Sequence, residues 1–202
     1  MNNAKSFSDT ALIVLGRRGG ETSDLPRYQL SLSGKRDPTR MYSQTSKLED
    51  LMIEKVTANF DKVIVIFNTT NVMEAGFLEN DKIDAAIAIY APGSKATPAL
   101  GNLLSGKANF SGRTVDTWAY DLSTAAAWAN AGVDGTHTIN ASGSEKAYIS
   151  DYAEGVYMGY YWYETADKEG FWTSDFAKER WDIENGYEDV VQFPVSYTHL
   201  TL

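Results

Sequence analysis

Three short segments made almost wholly of aliphatic residues constrain the fold more than any other feature. They are "TALIVLG" (Thr10–Gly16), "KVIVIFN" (Lys62–Asn68) and "DAAIAIYAPG" (84–93). Each is too short for an independent helix and lacks polar alternation, which is the pattern of strands buried on both faces. The stretches between them read as helices. In "SKLEDLMIEKVTANF" (46–60) Leu48, Leu51, Met52, Val56 and Phe60 share one helical face, and Ser46 and Glu49 are spaced as a capping box. "NVMEAGFLEN" (71–80) is a shorter helix candidate, and "PALGNLLSG" (98–106) starts on proline and ends on glycine, as helices favour. Alternating strands and helices predict an α/β fold, a three-layer αβα sandwich around a mostly parallel sheet.

Ligands of such sheets gather at the carboxyl ends of the strands. "GRRGGE", "NTTN" and "APGSK" follow the three strands there. The first has an unusual composition for its place, since a glycine loop after a buried strand usually holds a phosphate. A dinucleotide site needs G-x-G-x-x-G, whereas Gly16, Gly19 and Gly20 are spaced G-x-x-G-G; "GSKAT" and "LSGKAN" both fail the P-loop pattern. Glu21 would also set a negative charge where the phosphate rests. A carboxylate on a glycine-bearing loop suits proton transfer instead, with Arg17 and Arg18 near enough in sequence to position it. On residue physics alone, a solvated loop glutamate remains the plainer reading of Glu21.

Downstream the pattern weakens. "SGRTVDTWAYD" (111–121) has room for one more strand, and "NAGVDGTHTINASGSE" (130–145) reads as a polar loop. "EGVYMGYYWYE" (154–164) holds five aromatics in eleven residues and reads mainly as packing, with Glu154 supporting the turn. Residues 164–189 hold nine carboxylates against Lys168, Lys178 and Arg180, which reads as a solvated surface.

The bulk properties exclude several functions. A net charge of −9 argues against a nucleic-acid partner. The absence of cysteine removes disulfides, thiolate metal sites and cysteine nucleophiles, and two separated histidines, His137 and His199, do not make a metal cluster. No metal or cofactor is expected. No apolar run approaches the ~20 residues of a membrane helix, and "MNNAKSFSDT" has no apolar core of a signal peptide. The chain as given therefore reads as soluble, without a membrane partner; its compartment stays open, with the cytoplasm favoured because no signal peptide is visible.

Several segments, taken in order, resemble the second domain of glycoside hydrolase family 3, of the β-glucosidase type. "VLGRRGGETSD" is similar to that family's strand, Ser/Arg-rich turn and Gly-Glu-Gly loop with a following Asp. "VIVIFNTTNVMEAGFLE" (63–79) is similar to its strand ending in Asn followed by Pro-Met-Glu. "IYAPGSKATPALGNLLSGKANFSGR" (89–113) is similar to its strand with Pro-Gly-Gln-Glu, small-residue helix and Asn-Pro-Ser-Gly-Arg. "YAEGVYMGYYWYE" (152–164) resembles its Tyr-x-Glu-Gly-Ile-Tyr-Val-Gly-Tyr run, and "VVQFP" (190–194) leads toward its Phe-Gly-Tyr-Gly. The departures are the missing glutamine, glutamate and paired glycines in "PGSKATPALG", the threonine after Glu21, the phenylalanine in place of the common proline in "NFSGR", and an insert at 37–46.

The resemblance implies a retaining mechanism with two carboxylates: an Asp nucleophile on an N-terminal (β/α)₈ barrel, and a Glu general acid/base on a loop of this domain. Glu21 matches the latter. Arg17, Arg18 and Asp24 are the accompanying candidates for substrate contacts. The implied partners are a β-glucoside or related oligosaccharide and the barrel of the same parent chain. That barrel needs ~250 residues and has no counterpart here, so the chain reads as a fragment. Residues 1–194 are then the family domain, truncated. "VSYTHLTL" (195–202) resembles the translation of a sequencing adapter, which sets His199 aside. Glu74 reads as orienting or capping its helix. The alternative is a non-catalytic sugar- or nucleotide-binding α/β module in which Glu21 is incidental.

Overall fold

The computed structural model describes residues 2–17, 26–31, 33–90, 92–130, 137–140, 146–149 and 152–194. The 18–25 segment, which carries Arg18, Glu21 and Asp24, and the tail 195–202 lie outside the described residues. In chain order the elements are α1 (Asn2–Phe7), β1 (Thr10–Gly16), β2 (Tyr28–Leu30), β3 (Arg36–Met41), α2 (Lys47–Thr57), β4 (Lys62–Asn68) and β5 (Ala85–Ala88). They continue with α3 (Thr97–Leu104), β6 (Trp118–Ala119), α4 (Ala126–Asn130), β7 (His137–Asn140) and β8 (Lys146–Ile149). The last are α5 (Tyr160–Lys168), α6 (Asp175–Trp181), α7 (Tyr187–Val190) and β9 (Val191–Phe193).

The three aliphatic segments form one parallel sheet in the order β1-β4-β5. Leu15 lies beside Phe67, which lies beside Ala88, and Gly16 is level with Asn68. Asp84 pins the entry to β5: its carboxylate accepts the Val63 N–H at 2.7 Å while its own N–H donates to the Val63 carbonyl at 2.9 Å. The α/β class expected from the sequence is the observed one. One face of the sheet makes the core, where Ile13, Leu15, Val63, Val65 and Phe67 pack with Ile53 of α2 and with Met73, Leu78 and Ile83. Burying a side chain of this size contributes roughly 1.5–3 kcal/mol.

The expectation of strands buried on both faces holds for β4 better than for β1. Leu12 and Val14 are 50% and 55% exposed while Ile13 and Leu15 are buried. Among the described residues β1 lies at the edge of the sheet and pairs only with β4, so its second face has fewer neighbours to cover it. The buried face of α2 is likewise rotated from the one that apolar spacing predicts. Ile53 and Thr57 are buried, with Val56 and Phe60 partly so, whereas Leu48, Leu51 and Met52 face outward. The capping box at Ser46 and Glu49 is present as expected, and such caps contribute about 1 kcal/mol. Glu49 is also drawn inward to a buried arginine described below, and that pairing favours the observed rotation.

Residues 71–80 do not form the expected α-helix. A single 3₁₀ turn spans Gly76–Glu79, because the preceding backbone is spent on other segments: the Glu74 N–H donates to the Ser43 carbonyl. Helix α3 matches its expected span, with Pro98 in its first turn and Gly106 beyond its end at φ +72°. The extra strand anticipated in 111–121 is the two-residue β6, paired antiparallel with β9. The expected loop 130–145 is partly strand, since β7 pairs with β8 as a hairpin. The hairpin β2–β3 had no aliphatic signature to announce it.

A second cluster forms around Trp172, with Tyr163, Ala166, Ala177, Ile183 and Val190. The pair β6–β9 joins the two cores. Trp118 and Phe193 pack into the first, Ala119 and Val191 into the second.

Candidate functional site

The carboxyl edge of the parallel sheet is where the β1, β4 and β5 chains leave their strands. Gly16 and Asn68 stand side by side, and the Arg17 N–H donates to the Asn68 carbonyl at 3.4 Å. Just past β5, Tyr90 turns into the left-handed region at φ +50°. That conformation is strained for a bulky side chain, and it explains why the strand stops at Ala88 rather than running on to residue 90.

Arg17 is the best-defined side chain of this edge. Its side chain is only 4% exposed, and all five guanidinium N–H donors meet protein acceptors. Nε donates to the Tyr42 carbonyl at 2.9 Å, Nη1 to the Gly16 carbonyl and Glu49 Oε1 at 2.9 and 2.7 Å, and Nη2 to the Gln44 carbonyl and Glu49 Oε2 at 2.8 and 2.9 Å. The Tyr42 ring lies 5.5 Å from the guanidinium carbon. A fork bound on every side at a strand end is a geometric anchor as much as a charge.

Glu49 completes the anchor from the other side. Its carboxylate takes two Arg17 donors and, through Oε2, the Ser46 N–H at 2.7 Å. Burial alone would raise its pKa, but the Arg17 and Ser46 hydrogen bonds outweigh this and hold the carboxyl below its ordinary value. The stability this group contributes is therefore present above the ordinary carboxylate range and lost as pH falls through the depressed value. One carboxylate thus ties the end of β1 to the first turn of α2. Sequence reasoning identified Glu49 as a cap but had no signal for a partner thirty-two residues away.

Behind this pair the turn 42–45 is fastened twice more. Gln29 Nε2 donates to the Tyr42 and Gln44 carbonyls at 3.3 and 2.8 Å. Gln44 Nε2 donates to Glu74 Oε2 at 2.7 Å. Glu74, buried, also accepts from Ser43 Oγ at 3.2 Å and from the Leu122 N–H at 3.1 Å. With no α-helix at 71–80, Glu74 caps nothing; it joins three segments of the chain.

Burial pushes the Glu74 pKa up, against the hydrogen bonds from Gln44, Leu122 and Ser43, with the Asp121 charge adding to the rise. A raised folded-state value means stability present below the ordinary carboxylate range and lost as pH rises through the raised value. Glu74→Gln cannot ionise. Relative to it, wild-type stability should decline across that window and be flat above it, as denaturant unfolding at a series of pH values would read. Glu74→Ala leaves three donors without their acceptor and should cost about 3 kcal/mol at neutral pH. A wild-type stability that rose with pH across the window relative to Glu74→Gln would contradict the assignment.

Of the sequence-predicted site residues, Arg17 alone is described. The chain departs from it into 18–25 and returns at Pro26. Among the described residues no group of three or more His, Asp or Glu could hold a metal ion, and no helix is long and apolar enough to cross a membrane.

An α/β domain whose parallel sheet gathers its loops at one edge is the class that fold and site define. The pattern of the glycosyl hydrolase family 3 C-terminal domain matches residues 1–160, and the chain belongs to that family. It is 25% identical over 197 residues to a β-glucosidase of Ruminococcus albus, covering 97% of this chain and 17% of that protein. It is 27% identical over 175 residues to β-glucosidase A of Butyrivibrio fibrisolvens, covering 81% and 20% respectively. A crystal structure of a β-glucosidase from Paenibacillus barengoltzii superposes with a TM-score of 0.60 at 27% identity, over 80% of this chain and 15% of that one. The chain thus spans a fifth or less of the length of each of these proteins.

Proposed function

We propose that this chain is the acid/base-bearing domain of a retaining β-glucosidase-like enzyme, and that Glu21 is the general acid/base. The observation that carries the reading is the place from which Glu21 departs. Its segment follows directly on Arg17, and Arg17 is fastened at the carboxyl edge where ligands of parallel sheets collect. Membership of family 3 and similarity to proteins named β-glucosidases add support.

The chemistry requires two carboxyl groups about 5–5.5 Å apart across the scissile bond. Glu21 would donate a proton to the departing glycosidic oxygen while an Asp of the partner barrel attacks the anomeric carbon. Glu21, now ionised, would then remove a proton from water as it displaces the Asp from the glycosyl ester. Arg18 and Asp24 are proposed to contact the sugar. The substrate is proposed as a β-glucoside or related oligosaccharide.

The two-domain division has a direct test. The isolated chain should leave aryl β-glucosides intact, because an acid without its nucleophile cannot form the glycosyl-enzyme, while the intact parent cleaves them. Turnover by purified chain alone at a rate near that of the parent would overturn the reading.

A further inference from the structure

We propose that Arg17 and Glu49 form a positioning device for the acid/base segment, and that Arg17 itself does not touch the sugar. This rests on the assignment of Glu21 above. All five guanidinium N–H groups of Arg17 are taken by protein acceptors, so no donor is left for a substrate hydroxyl. The side chain is buried, and its partners come from three places: the end of β1, the turn after β3 and the first turn of α2.

The residue that follows Arg17 begins the segment carrying Glu21. Whatever fixes the direction of the backbone at Arg17 fixes where that segment starts. Glu49 does this by gripping the guanidinium with both oxygens while one of them also accepts the Ser46 N–H. The turn that supplies two of the Arg17 acceptors is itself held by Gln29 and, through Gln44, by Glu74. The chain of contacts runs from Glu74 to Gln44, to Arg17, to the base of the segment. Lysine at 17 would keep the charge but lose the planar fork that reaches Tyr42, Gln44 and both Glu49 oxygens.

The test uses the intact parent enzyme with Arg17→Lys and Glu49→Gln, with Glu21→Ala assayed alongside. A misplacement of about 1 Å in a catalytic group costs roughly 10²-fold in rate. Arg17→Lys should lower kcat on an unactivated disaccharide by about that factor while KM stays within about twofold. The loss in kcat/KM should shrink on an aryl glucoside whose phenol leaves without protonation, since the displaced group is the acid. Glu49→Gln, the milder change, should give the same pattern at smaller amplitude, and it carries the test alone if Arg17→Lys does not fold. Equal losses on both substrates together with a raised KM would make Arg17 a substrate contact. A lowered melting temperature with unchanged kinetics would make the pair purely structural. Either result overturns the proposal. Unimpaired Glu21→Ala turnover would instead remove the assignment on which it rests, whatever Arg17→Lys does.

Discussion

Replacing Glu21 by alanine in the intact parent is expected to cut turnover of an unactivated disaccharide by roughly 10²–10⁴-fold, the range that general acid/base catalysis supplies. The size follows from the leaving group. A sugar alkoxide is a poor leaving group and must be protonated as the bond breaks, whereas an acidic phenol departs unaided. The deficit in kcat/KM should therefore shrink steadily as the leaving group becomes more acidic. Glu21→Gln should behave alike, since the amide keeps the shape but neither gives nor takes the proton. Glu154→Gln is the matched control: Glu154 stands in the turn ahead of α5, whose aromatic run reads as packing, and this substitution should leave the leaving-group dependence flat. A near-normal rate for Glu21→Ala on the disaccharide would place the acid elsewhere.

The largest expected effect on stability comes from a different part of the chain. Trp172→Ala should destabilise by about 3–5 kcal/mol, the cost of emptying a buried aromatic site. Trp172 is fully buried. It meets Trp162, Phe171 and Trp181 edge-on at centroid distances of 5.7, 5.0 and 6.0 Å, stacks on Tyr163, and donates its indole N–H to the Tyr163 carbonyl. For a chain of this size each kcal/mol is worth about 2–4 °C in melting temperature, so a fall on the order of 10 °C is expected. Phe176 lies on the rim of the same cluster, 62% exposed, and Phe176→Ala should move the midpoint little. Comparable shifts for the two variants would mean that residues 160–193 are not held by a packed core. Because β9 carries Val191 into this cluster and Phe193 into the sheet core, the variant also tests whether both cores unfold together.

What the sequence made legible was what local pattern encodes. The strands β1, β4 and β5 are aliphatic runs with turn residues behind them, and their parallel pairing followed from the intervening helical stretch. The Ser46–Glu49 box and the Pro98–Gly106 frame are local signals, and both hold in the structure. Residues 71–80 failed as a helix for a non-local reason: Glu74 and its backbone are engaged by Ser43, Gln44 and Leu122. The buried face of α2 differed because apolar spacing ignores the pull of an ion pair on Glu49. At the site, Arg17 stood out by its place after β1, but its partners Tyr42, Gln44 and Glu49 are brought together only by the folded chain. Glu21 was singled out by an acid standing where a phosphate loop would be expected, and by the resemblance to family 3.

Glu21 is proposed to act as acid in the first step and as base in the second. The most direct measurement is the product formed by Glu21→Ala parent enzyme with an activated aryl glucoside in the presence of azide. With the base removed, water attacks the glycosyl-enzyme slowly, while azide needs no deprotonation and can enter the space the carboxylate leaves. Turnover should rise with azide concentration and β-glucosyl azide should accumulate, identified by the anomeric proton in the NMR spectrum. Glucose as the sole product at a rate indifferent to azide would contradict that role.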